Sequence, residues 1–120
     1  MTRIDANIIL RFLLADNEDM FKISKEIMRE QVYLSNEVVA EIIYVLEKVY
    51  KFDRKIIFDR LYGIMNLTNI FNFDKRFVLK ALEIYKTTKL DFVDCLLCAY
   101  SEIDEIKTFD KKLLKCIDKQ

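Results

Sequence analysis

Residues 32–50, VYLSNEVVAEIIYVLEKVY, decide how the rest of the chain is read. Val32, Tyr33 and Leu34 make a short β-prone run, and Ser35 or Asn36 offers the side-chain oxygen that starts a helix. Val38, Val39, Ile42, Ile43, Leu46 and Val49 then recur at the spacing of one helical face, which predicts a helix to about Tyr50. Glu41 interrupts that face. Val38 and Val45 lie on the adjacent turns and Ile42 beside it, so its neighbours aim it partly inward, away from Glu37, Glu47 and Lys48. A buried glutamate must take up a proton or find a partner. A cation would serve, as would a polar network with Asn7, Ser35 and Thr108.

The same grammar extends in both directions. Residues 2–5 (TRID) predict a first short strand, and Ile8, Ile9, Phe12 and Leu13 one face of the helix that follows. After a polar break at 16–19, Phe21, Ile23, Ile27 and Met28 continue at helical spacing to about Glu30. Asp53 caps a helix through Met65, and a β-prone segment at 69–73 follows. Asp74 and Asp91 cap two further helices, residues 106–109 (IKTF) predict a last strand, and Asp110 opens a terminal helix. Helices alternating with short strands predict an α/β fold, a central parallel sheet of about four strands with helices on both faces. No linker, repeat or low-complexity tract divides the chain, so residues 1–120 read as one domain.

Composition narrows the chemistry. Hydrophobic residues make up 52% of 120, enough for a real core, so disorder is excluded. No apolar run approaches the roughly 18 residues of a membrane span. Asp5 and Arg11 inside the apolar N-terminus argue against a secretory signal, which leaves the cytoplasm as the expected compartment. There is no His, and Gly63 is the single glycine. Imidazole-based triads, His-ligated zinc sites, P-loops and dinucleotide fingerprints are thereby ruled out. Lys and Arg together number 20, as do Asp and Glu, so the chain lacks the basic excess of a general nucleic-acid binder. Cys95, Cys98 and Cys116 are odd in number; reduced thiols packed in the core are expected.

Four acids stand beside strongly apolar runs: Asp5, Glu41, Asp94 and Asp110. Asp5 ends the first predicted strand, Asp110 follows the last, and Asp94 lies in the first turn of a helix. Sites in parallel sheets form outside the carboxyl ends of the strands, where these residues would meet. Each also has a local explanation. Asp5 and Asp110 suit helix caps, and in D-x-x-D Asp91 caps while Asp94 favours the helix dipole. Carboxylates gathered without His or Cys select a hard cation, magnesium or manganese, and such a site suits phosphodiester hydrolysis. Arg11, Lys111 and Lys112 are candidate phosphate contacts, or ordinary solvated charge.

Four segments in order, I-D-A-N from Ile4, V-V-A-E-I-I-Y-V-L-E-K-V-Y from Val38, L-D-F-V-D-C-L-L-C-A from Leu90 and T-F-D-K-K-L from Thr108, resemble PIN-domain ribonucleases of the VapC type. These are the toxin halves of toxin–antitoxin pairs. The resemblance spans nearly the whole chain and implies a three-layer α/β/α fold. It places the family's acidic tetrad, catalytic and metal-binding, on Asp5, Glu41, Asp94 and Asp110. Asn7, Ser35, Asp91 and Thr108 match polar residues that support such a site. It further implies a Mg2+- or Mn2+-dependent endoribonuclease acting on RNA such as tRNA or rRNA, a cognate antitoxin partner and a homodimer. Residues 87–89 and 101–107 depart from the family by lacking its usual glycines.

Three other functions compete, one of them a plain helical interaction module, which leaves Glu41 unexplained. An inactive PIN-like protein-interaction domain would have no reason to keep four mutually repelling acids. A phosphoacceptor signalling domain would place Thr108 and Lys107 near an Asp, but calls for paired acids after the first strand, where Asp5 stands alone.

Overall fold

The computed structural model describes residues 1–120, which fall into two compact units, Met1–Phe73 and Asp74–Gln120. The first unit contains β1 (Thr2–Arg3), α1 (Ala6–Leu14), α2 (Glu18–Ile27), β2 (Val32–Tyr33), α3 (Asn36–Lys48), α4 (Arg54–Met65) and β3 (Ile70–Phe71). The second contains α5 (Lys75–Thr87), α6 (Phe92–Tyr100) and α7 (Lys111–Asp118). The class is α/β, with three parallel strands where about four were expected.

The strands are only two residues long and pair in the order β1-β2-β3, with Arg3 opposite Tyr33 and Tyr33 opposite Phe71. So short a sheet needs help to hold register. Asn72 supplies it by donating to the carbonyl of Leu34 and to Asn36 Oδ1, both at 2.8 Å. Asn69 does the same at the other end, donating to the carbonyls of Met28 and Glu30 at 2.7 and 2.8 Å. Ile9, Val32, Leu34, Val39, Ile42, Leu46, Ile57, Leu61, Met65 and Ile70 are fully buried and form the core of this unit. Each such side chain contributes about 1.5–3 kcal/mol by leaving water.

The second unit is helical throughout, with α5 packed on α6 and α6 on α7. Val78, Leu82 and Tyr85 of α5 and Cys95, Cys98 and Ala99 of α6 are buried in it. Asp74 begins α5 without capping it. Its carboxylate is taken by the Tyr100 hydroxyl, which donates to it at 2.6 Å. Residues 106–109 do not form the expected strand. Ile106 and Thr108 are half-buried while Lys107 and Phe109 are exposed, so the alternation exists. What is missing is a ladder of hydrogen bonds to a neighbour, without which β propensity has nothing to stabilise.

The cysteines also differ from expectation. Cys98 and Cys116 are joined in a disulfide, Cα to Cα 6.1 Å, and Cys95 is left as a buried free thiol. The C-x-x-C spacing was no guide, because Cys95 and Cys98 lie less than one helical turn apart and α7 brings Cys116 to Cys98 instead. Peptide mapping of the unreduced protein should find Cys98 linked to Cys116 and Cys95 alone alkylated after unfolding. Truncating Leu46 to alanine should lower the stability of the folded chain by about 2–5 kcal/mol, read as a fall in the denaturant midpoint.

Candidate active site

The carboxyl ends of β1 and β2 position Asp5 and Ser35. Two residues beyond the paired Arg3 and Tyr33 stand Asp5 and Ser35, and each starts a helix. Asp5 Oδ1 accepts from the Ile8 amide at 3.3 Å, and Ser35 Oγ from the Val38 amide at 3.3 Å. Both residues therefore act as N-caps, and Asn7 is exposed in the first turn of α1.

Glu41 is not where its neighbours in sequence placed it. It is exposed, on a stripe of α3 shared with Glu37, Tyr44 and Lys48, while Val39, Ile42, Ile43 and Leu46 fill the buried face. The inward orientation is overturned, and with it the need for a partner created by burial. Val38 and Val45 misled because both lie on the half-buried flank of the helix, which leaves Glu41 room to reach solvent.

The second unit gathers three acids. Asp91 caps α6, its Oδ1 accepting from the Asp94 amide at 2.9 Å. Asp110 caps α7, its Oδ1 accepting from the amides of Lys112 and Leu113 at 2.8 and 3.0 Å. Thr108 Oγ1 accepts from the Asp110 amide at 3.0 Å and so shapes the turn that presents this carboxylate. Asp94 is the half-buried member. Burial pushes its carboxyl above the ordinary aspartate range, and the negative charges of Asp91 and Asp110 push it further. Asp94 and Asp110 come from different helices, so this repulsion is tertiary. Cys98 lies one turn beyond Asp94 on the same face of α6, and its bond to Cys116 ties that face to α7.

The caps occupy one oxygen of Asp5, Asp91 and Asp110, and leave each a second. No group of three or more His, Cys, Asp or Glu side chains is close enough to enclose a metal ion. Of the basic candidates, Arg11 is engaged, with Nη1 2.8 Å from both oxygens of Asp16 and Nη2 donating to the Tyr50 hydroxyl at 3.2 Å. Lys111 and Lys112 are exposed.

The PIN domain family model matches residues 3–119. The chain belongs to the PIN-domain family. Its three-layer α/β/α fold class is the one to which this parallel sheet and its helices correspond. The chain is also 28% identical over 124 residues to the VapC ribonuclease of Aquifex aeolicus (strain VF5), covering 96% of this chain and 91% of that protein. No solved structure matches it. No helix is long and apolar enough to cross a membrane.

The raised Asp94 pKa has a defined consequence. The folded state holds its proton more tightly than the unfolded state, so stability falls as pH rises from the ordinary aspartate range through the folded value. At neutral pH the ionised carboxylate works against folding. Asp94→Asn should therefore raise Tm at pH 7, and the gain should vanish in acid, where Asp94 is protonated in both states. Asp110→Asn, which keeps a capping side chain, should lower the Asp94 pKa in a carbonyl-detected NMR titration.

Proposed function

We propose that this PIN-domain chain is a divalent-metal-dependent endoribonuclease, the toxin component of a toxin–antitoxin pair, and that Asp5, Glu41, Asp94 and Asp110 serve its reaction together. The observation that carries this reading is the match of the PIN domain family model through residues 3–119, with the half-buried Asp94 at the head of α6 as its structural counterpart. Burial, and then the charges of Asp91 and Asp110, disfavour the ionised form of Asp94, a cost that a bound cation would offset. Likeness to a VapC ribonuclease supports the same choice of chemistry.

The donor set fits a hard cation. It is all oxygen, and magnesium is usually held by one or two carboxylates together with waters and substrate phosphates, not by a full protein cage. A pair such as Asp94 and Asp110 is compatible with that, although no three-membered cluster exists. Bound there, Mg2+ or Mn2+ would supply charge neutralisation at a phosphate and activation of a water. The residues themselves have simpler tasks. Asp94 and Asp110 would hold the ion, and Asp5 and Glu41 are the other two acids that the family resemblance implies. Thr108 fixes the turn that presents Asp110, Asp91 fixes the first turn of α6 around Asp94, and Ser35 fixes the start of the helix that carries Glu41. Asn7 would orient Asp5 or the substrate. The exposure of three of the four acids suits a polymer substrate, which needs an open surface and not an enclosed pocket.

The family further supports a single domain over residues 1–120, since the match runs through both compact units. It also supports a structured RNA such as tRNA or rRNA as substrate, an antitoxin protein and a second copy of the chain as partners, and a cytoplasmic setting.

Purified protein should cut structured RNA when Mg2+ or Mn2+ is present and not in a chelator. Asp94→Asn should reduce the rate by about a hundredfold or more while the fold, followed by Tm, is retained. Cleavage that persists in the chelator, or that survives this substitution, would sink the metal-dependent reading.

A further inference from the structure

A cavity of about 420 Å3 opens in the second unit between the end of α5 and α7. Its size is that of a small-molecule or nucleotide pocket. Ile84 and Leu90 give it an apolar wall, and both are otherwise buried. Lys89, Lys112, Lys115 and Lys119 stand around it, and no Asp or Glu lines it. Lys112, Lys115 and Lys119 recur at three- and four-residue intervals, one stripe of α7 rising about 10 Å. All three are exposed and none enters an ion pair. Like charges at this spacing disfavour the helix that carries them unless an anion offsets them.

The lining selects among anions. A bare inorganic anion would satisfy the lysines and leave the apolar wall wet. An acidic peptide segment meets the lysines with carboxylates but fills the apolar wall only where an apolar side chain happens to fall in register, and the test below separates it from a nucleotide. A nucleotide brings both, a base with an apolar face and a phosphate at its edge. We propose that this cavity is a nucleotide subsite, with a base against Ile84 and Leu90 and backbone phosphates on Lys112, Lys115 and Lys119. The identity of the strand as RNA rests on the ribonuclease reading above. The lysine stripe begins two residues after Asp110, on the helix that Asp110 caps. One rigid element thus carries an acid of the reaction at its head and the strand-holding charges along its length.

The test uses the full chain and a fluorescein-labelled single-stranded oligoribonucleotide, with anisotropy read in chelator so that no cleavage interferes. Lys115→Glu with Lys119→Glu should weaken binding by about tenfold or more, and the salt dependence should fall by about 0.7 in slope per lost contact. The double alanine variant should lie between, and Lys115→Arg with Lys119→Arg should bind as the parent does, which separates charge from folding. In metal, the double glutamate variant should raise KM and leave kcat within about twofold. Unchanged binding and unchanged KM in the double glutamate variant would overturn the subsite while leaving the nuclease intact. A protein that never cleaves, yet binds RNA through these lysines, would support the subsite and sink the nuclease instead. Lysine-dependent binding of polyglutamate, with RNA binding indifferent to the substitutions, would overturn the nucleotide assignment in favour of an acidic protein segment.

Discussion

The hydrogen bond between a side-chain oxygen and the first free amides of a helix is the interaction on which this fold depends. Strands of two residues can set direction but offer few ladder bonds, so the chain must turn directly from strand into helix. Asp5 and Ser35 make that turn by accepting from an amide of the first helical turn, and Asn17, Asp53, Asp91 and Asp110 start the helices that follow other helices in the same way. Each cap is worth about 1 kcal/mol, and six of the seven helices have one. A carboxylate used this way keeps one oxygen uncommitted. On the proposed function, capping and reaction fall on the same residues, and a cap at Asp5 or Asp110 leaves an oxygen free for a second task.

Asp94 breaks that economy. It accepts nothing in return for its burial, and two carboxylates raise its pKa further. Packing of α6 on α7 maintains the strain, and the Cys98–Cys116 bond lies on the same face of α6. A helix pair free to slide would relax apart and lose the repulsion. Here the covalent tie and the buried Leu113 beside it hold α7 in place. Apolar packing and a crosslink, not attraction between the acids, set the position of α7 against α6.

Much of this was readable in the sequence. Helix starts were, because caps are local and Ser35, Asp53, Asp91 and Asp110 announce themselves by type and position. The parallel sheet followed from alternation of strand and helix. What was not readable depended on contacts distant in sequence. The β-prone run 106–109 lacked a ladder partner, Asp74 was claimed by Tyr100, and Cys116 reached Cys98 across eighteen residues. Glu41 failed differently. The face of a helix is set by its whole apolar stripe, and Val39, Ile42, Ile43 and Leu46 fix that of α3, with Val38 and Val45 on its half-buried flank. The signal for the cavity is present as Lys112, Lys115 and Lys119, three lysines on one helical stripe. Nothing in the sequence placed the end of α5 beside them.

Zero net charge hides a segregation of sign. Acids start α6 and α7, and a stripe of lysines runs along α7 from Lys112 to Lys119 on the side that lines the cavity. On the proposed function this separation is necessary. A polyanion approaching Asp94 and Asp110 is repelled until a cation offsets them, so affinity cannot originate at the acids. It has to come from a place that is basic whether or not metal is present, and that is rigidly linked to the acids so that holding the strand also places it. A single short helix capped by Asp110 and edged with lysines meets both conditions. Scattering the same charges over the surface would leave the composition unchanged and would remove the linkage between holding and placing.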